Sequence, residues 1–590
     1  MSIQTLENQA EAPAAALSPW KRIGAALLSE YWLVRLSIVL IFGLYVRTIG
    51  FAPVYDDNII GPPLSLRDIP LFFTHDIFGL EGTAHSVYYR PLAQTYGLLL
   101  TLATGGLPGW LHLGAMFLHL AVFYLAYRFG RHLFGDYRLA LLTALLFALH
   151  PTKVESVAWI GSSCVDGLGG VFFFACMIMI VRWREKPSGW LLAASVAFCT
   201  CAIFTKETMV CIPVLIAVYL WLTLPPDGRI VRILKTALPY GVVTAVYLAI
   251  RHVVIAPPSN RVEYSYPTYT LNNLWTAPYA IWWYLRHLSM PWGLSVEYTS
   301  RILHRPGLYE FVLPAVALLL LLAAGIWLWS RWRSPVAAFL MFWFVLTLAP
   351  PVIVAPMVSE HDRYLYFTAY AFCALVAWAS LRLGGLWAKA PYIVALCVVF
   401  LWSGLTWHEM GYWDCDKTLW SRVLETSPSQ SKAIIQMAQI YCEEGDSAKA
   451  LDLLNEGLRY YPTSPRFWLE RARTLNDASR FEEARTSYLK VMQLTEPVGG
   501  RPVGTQVSTN ARAMAAHQLA IMDLKANNLV EAESYARTAV DSNPEAVSYH
   551  TTLSEILGAE GRRDEAEAES KLELQMNLAR QLRNRWSSHP

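Results

Sequence analysis

Up to Trp407 the chain alternates long apolar runs with short polar loops, and beyond Asp414 those runs stop. A membrane-spanning helix needs about 20 mostly apolar residues. The pattern predicts about eleven such helices, at roughly 32–50, 110–128, 138–150, 165–182, 189–204, 209–224, 235–254, 308–329, 335–353, 364–381 and 391–407. Two further apolar stretches, 91–105 and 275–290, are rich in aromatic and polar residues and read as helices lying at the outer interface. Counting both as spans leaves the final orientation unchanged. The expected class is all-α, a polytopic bundle followed by a soluble part. The divisions are 1–30 as a cytoplasmic segment, 31–410 as the membrane domain and 411–590 as the soluble domain.

The soluble part has its own rhythm. From about residue 416 the sequence repeats at about 34 residues, punctuated by Pro428, Pro462, Pro497 and Pro544. Small residues recur where paired helices must approach closely: Ala438 and Ala450, Ala472 and Ala484, Ala520 and Ala532, then Ala566. Trp420, Tyr441, Trp468 and Tyr488 fill the faces between. This resembles the tetratricopeptide repeat, a helix–turn–helix unit of that period. Gly499–Thr509 interrupts the array and reads as a loop. Such solenoids offer concave surfaces to peptides or partner proteins; a spacer or assembly scaffold is the blander reading.

Charge then orients the bundle. Lys21 and Arg22; Arg128, Arg131 and Arg138; Arg182, Arg184 and Lys186; Arg229, Arg232 and Lys235; Arg331 and Arg333; Arg382 and Lys389 occupy alternate loops. By the positive-inside rule those loops are cytoplasmic, which puts the N-terminus inside and the repeats outside. Composition agrees: of 590 residues, 55% are hydrophobic and only 16% charged. The net charge of +3 and the lack of a basic block argue against nucleic acid. The nine cysteines fall mostly within apolar runs and lack zinc-ligand spacing. The first apolar run has no small-residue cleavage site and reads as a retained span.

The outer loops carry the chemistry. They hold Tyr55-Asp56-Asp57-Asn58, then Tyr88-Tyr89-Arg90-Pro91-Leu92, then His150-Pro151 with Lys153, Glu155, Trp159 and Asp166. Lys206-Glu207 lies in a short turn, and Glu360-His361-Asp362-Arg363-Tyr364-Leu365-Tyr366 comes late in the chain. Each has an ordinary explanation: a solvated Asp-Asp turn, a snorkelling Arg90, an ion pair at Lys206-Glu207. Together they place acids, cations and tyrosines on one side, where ionisable groups at a membrane boundary are costly unless solvated, paired or used. Cations there can hold an anionic head group, and a carboxylate can take a proton from a hydroxyl.

In this order the motifs resemble the GT-C class of membrane glycosyltransferases, and most closely the transmembrane-and-tetratricopeptide O-mannosyltransferase group and its bacterial relatives. The resemblance rests on Asp56-Asp57, Tyr89-Arg90-Pro91-Leu92, His150-Pro151 with Glu155 and Asp166, Lys206-Glu207, Arg363-Tyr364-Leu365-Tyr366 and the repeat tail, and it covers nearly the whole chain. It implies transfer of a sugar, with mannose favoured, from a polyprenyl-phosphate donor lying in the membrane lipid to a hydroxyl of a protein or peptide acceptor, with inversion. It implies that Asp56 or Asp57 is the catalytic base, Asp56 being favoured. Arg90, Lys206, Arg363, Tyr364 and Tyr366 would meet the lipid phosphate, while Glu155, Asp166, Glu207 and His361 would meet sugar or acceptor. Related enzymes carry a basic residue shortly before the acid of the fourth span; here Ser162-Ser163-Cys164-Val165-Asp166 has none.

A divalent cation is compatible with Asp56, Asp57, Glu155 and His361 but not required by them. The absence of an Asn-x-Ser/Thr sequon and of a Lys-Asp-Glu-Leu ending points to a bacterial inner membrane with periplasmic repeats, with an endoplasmic-reticulum membrane as the alternative. Two rival functions remain at this stage. A non-enzymatic scaffold would make the outer charges dispensable. A transporter of lipid-linked substrate would favour mid-span charges and repeated spans.

Overall fold

The computed structural model describes residues 29–58, 65–75, 88–255, 266–299, 303–350, 352, 361–383, 390–497 and 506–588. Lys21, Arg22, Glu360 and Lys389 lie outside the described residues, as does 499–505 of the expected loop. Every regular element among the described residues is a helix. Six are long and apolar enough to cross a membrane: Glu30–Gly50, Pro108–Phe134, Ile160–Glu185, Arg229–Val254, Leu308–Trp332 and Ile393–Trp413. Tyr137–Ala148, Gly189–Thr205, Glu207–Thr223 and Pro335–Ala349 are apolar but shorter. Thr368–Leu383, which falls on the tenth expected run, has 16 residues.

The helices start and stop where local chemistry dictates. Proline occupies the first turn of Pro91–Thr104, Pro108–Phe134 and Pro335–Ala349, where its missing N–H costs nothing. Gly135 ends Pro108–Phe134 in the left-handed conformation at φ 72° and gives its N–H to the Arg131 carbonyl. Asp136 then caps the next helix through the Arg138 N–H.

Opposite ends of the bundle have opposite characters. At one end Arg131 pairs with Glu30, His132 approaches Glu185, and Arg184 donates to the Thr223 carbonyl. These residues lie in or beside the loops expected to be cytoplasmic. At the other end the loops bearing Asp57, Glu155, Lys206 and Arg363 converge. Between the ends the core is aromatic and tightly filled: Trp343 stacks on Tyr370, and Phe129, Phe173 and Phe174 close around them.

The two stretches read as interfacial are helices, Pro91–Thr104 and Tyr266–Ser289. The last apolar helix ends at Met410, and the repeats begin with Asp416–Thr426 and Ser431–Glu443 and run to Arg563–Ser588. Part of the expected loop is helical, because a 20-residue helix begins at Gln506, inside it. The buried alanines sit as expected, with Ala438, Ala450, Ala472, Ala484, Ala520 and Ala532 at 0–1% exposure. The repeats are not a free tail. Leu419, Trp420, Val423, Ala433 and Met437 join the same hydrophobic core as the membrane helices, so the first helical pair packs onto the bundle at the end that gathers the polar loops.

Candidate active site

The Asp56-Asp57 turn follows the first long helix, and its two acids face different surroundings. Asp57 accepts the N–H of Ile160 at 3.0 Å and of Gly161 at 2.8 Å, one on each carboxylate oxygen. It thereby caps the helix that opens at Ile160, using donors that the first turn of any helix leaves unpaired. Burial pushes its carboxyl up to about 7, against the pull of those two N–H groups. Asp56 is 47% exposed and faces the Lys432 ammonium. Partial burial raises its pKa, while Lys432 and Arg363 pull it down.

Tyr55 sets the turn. Its φ of 59° is left-handed, a conformation that costs a residue with a Cβ about 1–3 kcal/mol and persists only when neighbours fix it. They do so from every side. Its N–H donates to Asp416 at 2.8 Å, and its hydroxyl donates to Glu297 at 2.5 Å. Its ring stacks on Trp420 and meets the edge of Trp159.

Behind the turn lie three cation–carboxylate pairs. Arg90 grips Glu207 with Nε and Nη2, at 2.7 and 2.5 Å. Arg363 gives its backbone N–H and Nη1 to the two oxygens of Glu155, at 2.8 and 2.7 Å. Lys206 pairs with Asp166, whose other oxygen accepts from Ser156 and Ser162. Asp166 sits in a π-turn, Ser163–Gly167, a local widening often found at functional positions. Asp166 is also felt electrostatically by Arg90 and by Glu155, so the pairs form one network. The cation that meets Asp166 is Lys206, from the far end of another helix.

Each cation expected at the phosphate therefore holds a carboxylate expected at the sugar. Among the described residues the pairing leaves donors in hand: Arg90 bonds through two of its three nitrogens, and Arg363 uses one. Beside the network a narrow, water-sized cleft opens among Phe173, Lys206, Met209, Thr347, Tyr364 and Phe367. Its lining is mostly apolar, with polar groups from Lys206, Tyr364 and two threonines.

Two expected residues sit elsewhere. Tyr366 is 1% exposed, packed on Phe147 and Gly170, and its hydroxyl has no partner among the described residues; Phe367 takes the place beside the cleft. His361 is buried with Nδ1 donating to the Val296 carbonyl at 2.9 Å, which ties its loop to residues 295–298. Burial pushes its pKa well below the ordinary histidine value.

Other residues take places that the sequence did not assign. Lys153 is wholly buried, donates to the carbonyls of Leu365 and Tyr366, and so fixes the Arg363 turn; burial pushes its ammonium down to about 7. Glu297, in the loop after Tyr266–Ser289, was visible in sequence as a lone acid in Ser295-Val296-Glu297-Tyr298. Lys432 carried no such signal, since one lysine opening a repeat helix is ordinary. A second small cavity lies between Glu155, Asp362, Glu409 and Arg422, at the seam with the first repeat. No group of three or more potential metal ligands occurs among the described residues.

The tetratricopeptide repeat family model matches residues 435–495. The chain is 22% identical to Protein O-mannosyl-transferase F38B6.6 of Caenorhabditis elegans, over 70% of this chain and 60% of that protein. It is 31% identical to Protein O-mannosyl-transferase TMTC2 of Mus musculus, over 31% of this chain and 23% of that protein. It is 22% identical to human Protein O-mannosyl-transferase TMTC3, over 85% of this chain and 59% of that protein. The chain thus spans about three-fifths or less of the length of these relatives. The resemblance to transmembrane-and-tetratricopeptide O-mannosyltransferases holds across both its apolar helices and its repeats.

Proposed function

We propose that this chain transfers a sugar, mannose by kinship, from a polyprenyl-phosphate carrier to a hydroxyl of a protein acceptor on the non-cytoplasmic face. The reading takes the eleven apolar helices as spans and the repeats as lying outside, where they select or present the acceptor. The observation that carries it is the juxtaposition of a half-exposed carboxylate, Asp56, with a network of cations that borders an apolar cleft.

In this mechanism the carrier lies with its phosphate against Lys206, Tyr364 and the open donors of Arg90 and Arg363. These groups stabilise the charge that grows on the phosphate as the sugar–oxygen bond breaks. Asp56 takes the proton of the acceptor hydroxyl as that oxygen attacks the anomeric carbon. One displacement inverts the anomeric centre. Guanidinium groups suit the phosphate because they can add a new bond while keeping their carboxylate. A divalent ion is not needed for these steps. The cell compartment, whether a bacterial inner membrane or an endoplasmic-reticulum membrane, does not alter them.

The test is direct. The full chain, purified in detergent, is given radiolabelled polyprenyl-phosphate mannose and a library of Ser/Thr peptides, and the products are sequenced by mass spectrometry. Hexose on a hydroxyl side chain with inverted anomeric configuration is expected. Failure with mannose and with a panel of other lipid-linked sugars would leave the repeat scaffold as the better account.

A further inference from the structure

The catalytic turn is held from outside the membrane domain. Lys432, near the start of the second repeat helix, lies with Nζ 3.8 Å from Asp56 Oδ1, 3.6 Å from Glu297 Oε1 and 3.7 Å from the centre of the Tyr55 ring. From the first repeat helix, Asp416 accepts the Tyr55 N–H and Trp420 stacks on its ring. Around these contacts the seam is dense. The Asp414 carbonyl accepts the Ala52 N–H, Arg422 reaches the Leu294 carbonyl, and Gln430 reaches the Tyr298 carbonyl. A flexible tether between a catalytic domain and a binding domain would not place a cation beside the base.

We propose that Lys432 is a positioning residue for Asp56, and that the first helical pair of the repeats is therefore part of the catalytic centre, forming the wall past which an acceptor hydroxyl reaches the base. This rests on the reading of Asp56 as base and adds to it. The lysine acts in two ways. Its charge, with that of Arg363, favours the ionised carboxylate against burial and the opposing charge of Glu297. Its position over Tyr55 holds the left-handed residue next to the base. A peptide that binds the concave face and tilts the first repeat would move Lys432, so acceptor capture and base geometry are mechanically joined.

Two readouts on the full chain test this, with Lys432→Met, Lys432→Arg and Asp56→Asn. The first needs no sugar donor: the pH at which a carbodiimide, which attacks the protonated acid, ceases to label Asp56, read by peptide mass spectrometry. The Lys432→Met midpoint should rise by about half a unit to one unit, and Lys432→Arg should restore it. The second is transfer: kcat in Lys432→Met should fall about tenfold at neutral pH with its acid limb moved upward, while the donor KM holds. An unchanged midpoint and an unchanged pH profile in Lys432→Met would overturn the proposal. Undiminished transfer by Asp56→Asn would remove the base itself, a separate failure, and the labelling midpoint would still decide whether Lys432 governs that carboxylate.

Discussion

Asp57 has both carboxylate oxygens bound to backbone N–H groups, and among the described residues Asp56 has neither. A cap contributes about 1 kcal/mol and a base contributes turnover, so the two acids should separate cleanly on substitution. The sign of their pH dependence follows from Asp57. Its folded pKa, about 7, lies above the ordinary value of 3.8, so its protonated form is favoured in the folded state. The stabilisation is full below about pH 4 and lost as pH rises towards 7. The melting-temperature gap between wild type and Asp57→Asn should therefore narrow over that interval in a thermal melt. Lys206 and Asp166, with side chains 5% and 1% exposed, make a different prediction. Removing either alone leaves a buried charge and should cost about 3–5 kcal/mol, whereas Lys206→Met with Asp166→Leu should recover most of it. Detergent melts of the four members of this cycle check the stability. If Lys206 serves the phosphate, transfer should stay low in the double variant even where folding returns.

At the scale of elements, the apolar runs and the repeat period made most helices legible, because burial in lipid and pairwise packing each impose a strict spacing. The helix opening at Gln506 escaped because glycines and a proline just before it hid where the array resumes. Which residues would meet was less legible. Topology put Arg90, Glu155, Asp166, Lys206, Glu207 and Arg363 at one end, but their pairing depends on helix rotation within the bundle, which hydropathy does not encode. The inward turn of Tyr366 has that cause: in Tyr364-Leu365-Tyr366 the second tyrosine falls on the face packed against Phe147. The docking of the first repeat was hidden too, since Trp420 satisfies the repeat's own pattern while also covering Tyr55. Trp420 is 1% exposed, so Trp420→Ala should cost about 3–5 kcal/mol and loosen the seam. Proteolysis between Met410 and Ser431 should accelerate in that variant, and unchanged cleavage would show that the seam does not depend on this wedge.

For the whole molecule, the bundle and the solenoid meet at the polar end of the membrane domain, so one surface joins the apolar cleft, the cation network and the first repeat. That arrangement suits a reaction whose donor lies in a membrane and whose acceptor is a chain in water. A scaffold has no use for a half-exposed acid aimed between cations, and a transporter would carry its charges at mid-span. The central claim is that Asp56 removes the acceptor proton. Its most direct test is the rate of mannose transfer from polyprenyl-phosphate mannose to a peptide by wild type, Asp56→Asn and Asp57→Asn, each shown by melting to be folded. The account predicts a loss of about a hundredfold or more in Asp56→Asn and a much smaller loss in Asp57→Asn. Transfer at the wild-type rate by folded Asp56→Asn would contradict it.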